Sequence, residues 1–186
     1  MGALDMGLTE DELPGLISDW REANPNIVNY WWTIGDAAME AVISRTYSKL
    51  AHGITVRYQS GMLLIGLPSG RTLTYVRPKM GVNRFGGSCI TYEGIGEAKK
   101  WTRLDTYGPK LVENIVQAIS RDILCYAMKS LRDREIVMHI HDELVIEADE
   151  SETLADISEI MGRTPPWAEG LQLRADGYET EFYRKD

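Results

Sequence analysis

The chain has 186 residues, 44% hydrophobic and 26% charged, with a formal net charge of −8, which suits one globular domain or compact lobe. Cys89 and Cys125 form no CxxC and lie far apart, so they point to neither a disulfide framework nor a zinc site. The start carries Asp5, Glu10, Asp11 and Glu12 without a basic run, unlike a secretory signal, and no apolar stretch reaches membrane-span length, so the expected location is cytoplasmic with no membrane partner.

Thr9 and Glu12 make an S/T-x-x-E capping box and predict a helix running to about Asn24. Asn24 as cap and Pro25 in the first turn open a second helix, from Asn26 to about Ala51. Its residues Ile27, Tyr30, Trp31, Ile34, Ala38, Ala41, Val42 and Tyr47 fall near one stripe, and Trp31 and Trp32 are expected to pack rather than to stack on bases. His52-Gly53 ends that helix, with the glycine free to take a left-handed cap. Strands are predicted over 54–58, 62–67 and 71–77, and Pro68-Ser69-Gly70 reads as a hairpin turn. Residues 80–87, with three glycines and Asn83, read as a loop, and 88–92 as another strand. The segment 94–106 resists assignment. Its Lys99-Lys100-Trp101 suits either a DNA-backbone contact or an exposed lysine pair beside a buried tryptophan.

From Gly108 to about Arg134, apolar residues Leu111, Ile115, Ile119, Ile123 or Leu124, Ala127 and Leu131 recur at three- and four-residue steps, predicting a long amphipathic helix. Glu113, Gln117 and Arg121 follow one another at one-turn intervals on a second, polar stripe. A solvated helix face explains them, but so does contact with a DNA minor groove, where every base pair offers acceptors. Between Arg71 and Lys110, eight Lys/Arg (Arg71, Arg77, Lys79, Arg84, Lys99, Lys100, Arg103, Lys110) stand against three acids (Glu93, Glu97, Asp105), so a basic middle sits within an acidic chain. A solvated charged face is the plain reading; a basic footprint beside an acidic metal site is the functional one.

The segment 135–150, EIVMHIHDELVIEADE, carries the clearest chemistry. Two short apolar runs rich in β-branched residues flank His141-Asp142-Glu143. Buried carboxylates must be paired, protonated or metal-bound, so a tight turn between antiparallel strands would put Asp142 and Glu143 at its tip, holding hard oxygen donors suited to magnesium. A solvated acidic turn is the other reading. Further on, 151–162 reads as a helix capped near Glu150 or Ser151, and 171–178 as a closing strand.

HIHDELVIEA resembles motif C of the family A DNA polymerases, the bacterial DNA polymerase I group. YGPKLVENIVQAISRD, over 107–122, resembles the helix before motif C in that family. PPWAEGL at 165–171 and ADGY at 175–178 resemble the ending of its phage- and prophage-type members, and the LPSGR hairpin resembles an element of that branch. The resemblance implies an α+β fold: an antiparallel palm sheet carrying the motif C hairpin, backed by the 108–134 helix and preceded by a partial fingers region. Residues 1–53 would be fingers helices and 54–186 the palm. It also implies two-metal nucleotidyl transfer with Mg2+, with primer-template DNA and dNTP as partners. Asp142 is the expected metal ligand, Glu143 a second catalytic and metal candidate, and His141 a catalytic-site residue that positions the primer terminus or the turn. Gln117 aligns with a glutamine that contacts the minor groove, Arg121 shares its stripe, and Glu113 stands where bacterial enzymes have asparagine.

The family's other catalytic aspartate motif, of the form Asp-Tyr/Phe-Ser-x-Ile-Glu, and its nucleotide-binding fingers helix have no match here, and Met1–Gly7 resembles sequence just beyond that helix. The chain is therefore expected to be a carboxy-terminal part of a polymerase, with the missing amino-terminal portion as a partner. Two other function classes compete. One is a non-catalytic DNA-binding or assembly module derived from a polymerase. The other is a metal-dependent hydrolase built on the HxH pair His139 and His141 with Asp142, for which His52 is the sole remaining histidine. With one of two essential carboxylates, the purified chain is expected to give no detectable primer extension with magnesium and all four dNTPs; robust extension would overturn this.

Overall fold

The computed structural model describes residues 7, 9–83, 85–149 and 151–183. The fold is α+β with four helices and an antiparallel six-stranded sheet. Two helices open it, α1 (Leu13–Ala23) and α2 (Pro25–Ser44). Six strands follow: β1 (Tyr47–Lys49), β2 (Thr55–Gln59), β3 (Met62–Gly66), β4 (Thr72–Val82), β5 (Ser88–Ile95) and β6 (Trp101–Thr106). They form one sheet in sequence order, β1-β2-β3-β4-β5-β6. Helix α3 (Gly108–Ser130) leads to the hairpin β7 (Glu135–Ile140) and β8 (Glu143–Glu147), and α4 (Leu154–Met161) comes last. The hairpin is a separate two-stranded sheet. It is not carried by the larger sheet, as the expected palm arrangement would have it.

The chain divides into two compact units. Of the described residues, the first takes those within Met1–Ser48, Val56–Leu63 and Thr74–Glu113, and the second those within Lys49–Thr55, Leu64–Leu73 and Asn114–Asp186. In the first, Ile34, Ala38, Ala41, Val42, Val56, Leu63, Tyr75, Ile90 and Leu111 are buried; in the second, Ile54, Ile65, Leu67, Ile115, Leu124, Ala127 and Leu131 are. The predicted stripes supply core at Ile34, Ala38, Ala41 and Val42 of α2 and at Leu111, Ile115, Leu124, Ala127 and Leu131 around α3, whereas Ile27 is exposed.

Local chemistry accounts for the boundaries. The capping box at the start of α1 is half formed: Glu12 reaches back to accept from the Thr9 backbone N–H at 2.9 Å, but Thr9 donates its hydroxyl to the same carboxylate at 2.7 Å. The helix therefore starts at Leu13 rather than just after Thr9. Asn24 likewise does not cap α2 with its side chain; it donates to the Trp20 carbonyl at 2.8 Å and closes the end of α1. Trp20 and Trp31 stack with ring centroids 5.6 Å apart, as packing predicted for Trp31, whereas Trp32 is exposed.

Helix α2 stops seven residues before the expected Ala51. Arg45 takes the left-handed conformation (φ 60°) as C-cap, with its N–H on the Ala41 carbonyl, and its guanidinium lies 3.4 Å from the centre of the Tyr58 ring. A cation over an aromatic face contributes about 1 kcal/mol at such a site, which offsets the cost of a left-handed arginine. Thr46 and Tyr47 are β-formers and turn the chain into β1, so Tyr47 lies on a strand and is exposed. His52-Gly53 belongs to a short 3₁₀ turn, Ala51–Gly53.

The 54–58, 62–67 and 71–77 strands are present with small shifts. At Pro68-Ser69-Gly70 the turn closes by Leu67 N–H to Arg71 O at 2.8 Å, with Gly70 at φ +88°. Strand β4 runs past the expected end at Arg77. A bulge between Val76 and Lys79 absorbs Pro78, which has no N–H to give a ladder. Met80, Gly81 and Val82 are therefore strand, and the loop shrinks to 83–87. There the Asn83 side chain accepts from the N–H groups of Phe85 and Gly87; Arg84 lies outside the described residues. The unassigned segment 94–106 holds the end of β5, a tight turn and β6, in register from Ile95↔Trp101 to Ile90↔Thr106.

Thr153, not Ser151, caps α4, accepting from Asp156 N–H at 3.1 Å; Glu150 lies outside the described residues. The expected strand over 171–178 does not form. That segment lies along α4 instead: a Cβ on Gly177 would meet Leu154 Cδ1 at 3.0 Å, and one on Gly162 would stand 3.3 Å from the Ala175 nitrogen. Cys89 and Cys125 are free thiols. Among the described residues no helix is long and apolar enough to cross a membrane.

Gly108, the first residue of α3, lets two backbones meet. A Cβ there would lie 2.2 Å from the Trp31 carbonyl oxygen, and one on Gly35 would lie 3.2 Å from Gly108 Cα. Gly108→Ala is expected to destabilise the protein by about 2 kcal/mol through forced displacement. Gly15→Ala in α1, with no atom within 4 Å of its Cβ, should instead stabilise by about 0.5 kcal/mol. Urea unfolding of the two variants checks both signs.

Candidate functional site

The hairpin of β7 and β8 is in register from Glu135↔Glu147 to Ile140↔Glu143, with an irregularity between Ile136 and Met138. His141 and Asp142 alone form the turn, and His141 takes a left-handed φ of 51°. Asp142 therefore occupies the tip, as expected, whereas Glu143 is the first residue of β8 and faces Ile140 across the ladder. Along β7 burial alternates: Ile136, Met138 and Ile140 are half-buried, while Val137, His139 and the following His141 are exposed. Neither strand holds a fully buried residue, unlike the core strands the apolar runs suggested. The base of the hairpin is tied by an ion pair from Arg134, just before β7, to Glu152, after β8. The ladder and its tied base thus hold an exposed carboxylate on a two-residue turn.

Asp142 and His141 are exposed and Glu143 is half-buried. Among the described residues no three His, Cys, Asp or Glu come together as a metal-binding group, so the HxH pair with Asp142 gathers no further ligand there. Asp142 and Glu143 are hard oxygen donors of the kind magnesium takes, but a divalent cation of this type fills six or more positions with oxygen. Each carboxylate offers such a donor, with water and other ligands left to complete the shell.

Gln117 and Arg121 both project from α3 as exposed residues of the second unit, in keeping with either a solvated or a ligand-facing stripe. Glu113 belongs to the first unit and is engaged locally: Lys110 Nζ donates to both its oxygens, at 3.0 and 2.9 Å. That pairing raises the Lys110 pKa, through the hydrogen bond first and the charge second.

A junction beside this stripe was missed by the sequence reading. Asp122, whose side chain is only 10% exposed, accepts from Ser69 Oγ at 2.5 Å and from Arg71 Nε at 2.7 Å. Arg71 also donates through Nη2 to the Ala118 carbonyl at 2.8 Å. The LPSGR turn is thereby fastened to α3 between the positions that carry Gln117 and Arg121. A signal for it exists in the sequence. Asp122 continues the spacing Leu111, Ile115, Ala118, so it is an acid on the apolar face and requires a partner. Because Arg71 stays half exposed, water screens part of its pairing. Asp122→Ala is expected to cost about 2 kcal/mol, leaving Arg71 and Ser69 without their acceptor, and a double-mutant cycle with Arg71→Ala should give a coupling above about 1 kcal/mol. Urea unfolding of the four proteins measures both.

No family model matches the chain, and no solved structure does. The chain is similar along its entire length to a DNA polymerase of Bacillus phage SP02, at 49% identity over 190 residues. It spans 29% of that relative's length. The similarity is thus to a part of a phage DNA polymerase, the kind of protein that the motif around Asp142 resembles.

Proposed function

We propose that the chain is the carboxy-terminal part of a family A DNA polymerase, with partial fingers in 1–53 and the palm in 54–186. The observation that carries this reading is the 49% identity to the phage polymerase over the whole chain, and the hairpin with Asp142 at its tip supports it. The substrates would be primer-template DNA and dNTPs, and the place of work the cytoplasm.

In this reading Asp142 supplies one oxygen ligand, presented on a turn that no side chain of the hairpin covers. Glu143, one residue into β8, supplies the second carboxylate. His141 holds the turn in its left-handed conformation and stands next to the primer terminus. Magnesium bound by these carboxylates would supply the positive charge that activates a primer 3′-hydroxyl and stabilises the α-phosphate. Gln117 and Arg121 would donate to minor-groove acceptors, which are present at every correct pair and so test pairing without reading sequence. Glu113, already held by Lys110, would contribute least.

The segments absent from this chain, with the other catalytic aspartate, would come from the remainder of the polymerase, and the chain alone would not extend a primer. The alternative is a non-catalytic DNA-binding or assembly module, whose work would not depend on Asp142.

The test is primer extension with magnesium and four dNTPs, using the chain together with a polypeptide that supplies the remaining polymerase segments. Extension is expected only in the mixture, and Asp142→Ala should lower it by at least about 100-fold, since groups that merely support a metal ligand already cost 10–100-fold. Full activity in the Asp142→Ala mixture would overturn the metal role. A folded mixture that never extends a primer would favour the non-catalytic module.

A further inference from the structure

The solvent face of β4 from Thr74 onward, β5 and β6 lies within the first unit and takes no part in the site above. Its inner side is closed by buried Ile90, Thr106 and Tyr75, with Tyr75 edge-on to Tyr92 at 5.0 Å. The other face is closed at Cys89, which is buried, and opens to water toward Ile95 and Trp101. On that other face the register aligns Glu93 with Arg103 and Ile95 with Trp101. Glu93 accepts from Arg77 Nη1 at 3.2 Å, Arg103 Nη2 at 3.0 Å and the Trp101 indole at 3.3 Å. Its carboxyl is held below the usual range, first by the indole and then by the two arginines. One acid is thus shared between two cations, and the arrangement fixes the tryptophan ring while leaving it 61% exposed. Ile95 beside it is 69% exposed. Lys79, Lys99 and Lys100 are exposed around the same strands, with Lys99 and Lys100 in the β5–β6 turn. Five cations here face three acids, Glu93, Glu97 and Asp105, in a chain whose net charge is −8.

We infer that this face, centred on Trp101, binds single-stranded DNA. The inference rests on the polymerase reading for its choice of polyanion. Cations that follow a phosphate backbone beside an exposed, fixed aromatic ring are the two components of sequence-tolerant single-strand binding, in which a base stacks on the ring. The ring lies on an antiparallel sheet face and is exposed there. A buried tryptophan would have made the lysine pair an ordinary solvated turn. The exposed one gives a base somewhere to lie.

The test is fluorescence anisotropy of a labelled thymidine oligonucleotide titrated with the full chain across a range of salt. Lys99→Gln/Lys100→Gln keeps the turn, since glutamine is no more strained than lysine at the φ of 55° found at position 99. It should weaken binding about tenfold and flatten the log–log salt slope by about 1.4, at roughly 0.7 per lysine. Trp101→Ala should weaken binding about tenfold, while Trp101→Phe, which keeps a ring, should stay near the parent. Should Trp101→Ala unfold by urea titration, the lysine pair and Trp101→Phe carry the result. Parental affinity and slope in the lysine double variant overturn the inference. So does an inorganic polyphosphate that binds as tightly as the oligonucleotide, because it has no bases, and so does a parent chain that binds no single strand. Failure here leaves the extension assay to judge the polymerase reading on its own.

Discussion

The carboxylate of Asp122 sets the local geometry of the second unit. It sits on the apolar side of α3, nearly enclosed, where an unpaired charge would be costly, and its oxygens are taken by Ser69 and Arg71 from the turn between β3 and β4. Arg71 then spends another donor on the Ala118 carbonyl. Three bonds from one turn therefore fix the rotation of α3 about its axis. With Ala118 and Asp122 held inward, Gln117 and Arg121 are left facing out, since adjacent helix positions are about 100° apart. The polar stripe owes its orientation to this junction as much as to the apolar residues beneath it.

The hairpin that follows is governed by a different constraint, the parity of a β-ladder. A strand alternates its faces strictly, and a one-residue slip exchanges them. A two-residue turn leaves no freedom in where Asp142 falls: with Ile140 opposite Glu143, the aspartate must be at the tip. The same rule separates Asp142 from Glu143 in role, because one belongs to the turn and the other to the ladder. Neighbouring acids in sequence are not equivalent ligands in space.

Charge behaves similarly. The excess of lysine and arginine in the middle of the chain is partly consumed by local pairing, with Arg71 on Asp122, Lys110 on Glu113, and Arg77 and Arg103 on Glu93. Among the described residues, the lysines without a salt bridge in this stretch are concentrated at the β5–β6 turn. The basic stretch counted along the sequence is thus less uniform than its sum, and its exposed tryptophan gives it a chemical character that the count alone does not carry.

The sequence by itself determined the elements whose signal is local: the α3 helix from its apolar stripe, the hairpin turn at Pro68-Ser69-Gly70, and the two apolar runs that place Asp142 between strands. The candidate carboxylates were legible for the same reason, since acids between β-branched runs stand out. Tertiary structure decided what local pattern leaves open. Helix α2 ends at Arg45 because a Tyr58 ring from another strand receives the guanidinium. Strand β4 continues through Pro78 because a bulge against β5 removes the need for the missing N–H. Residues 171–178 alternate like a strand but settle along α4 instead. Trp101 took its indole partner, Glu93, from the opposite strand, whereas Glu113 found Lys110 within one helical turn. Periodicity specifies which side of an element is apolar; only the partner that arrives there decides where the element stops and which charged groups stay free.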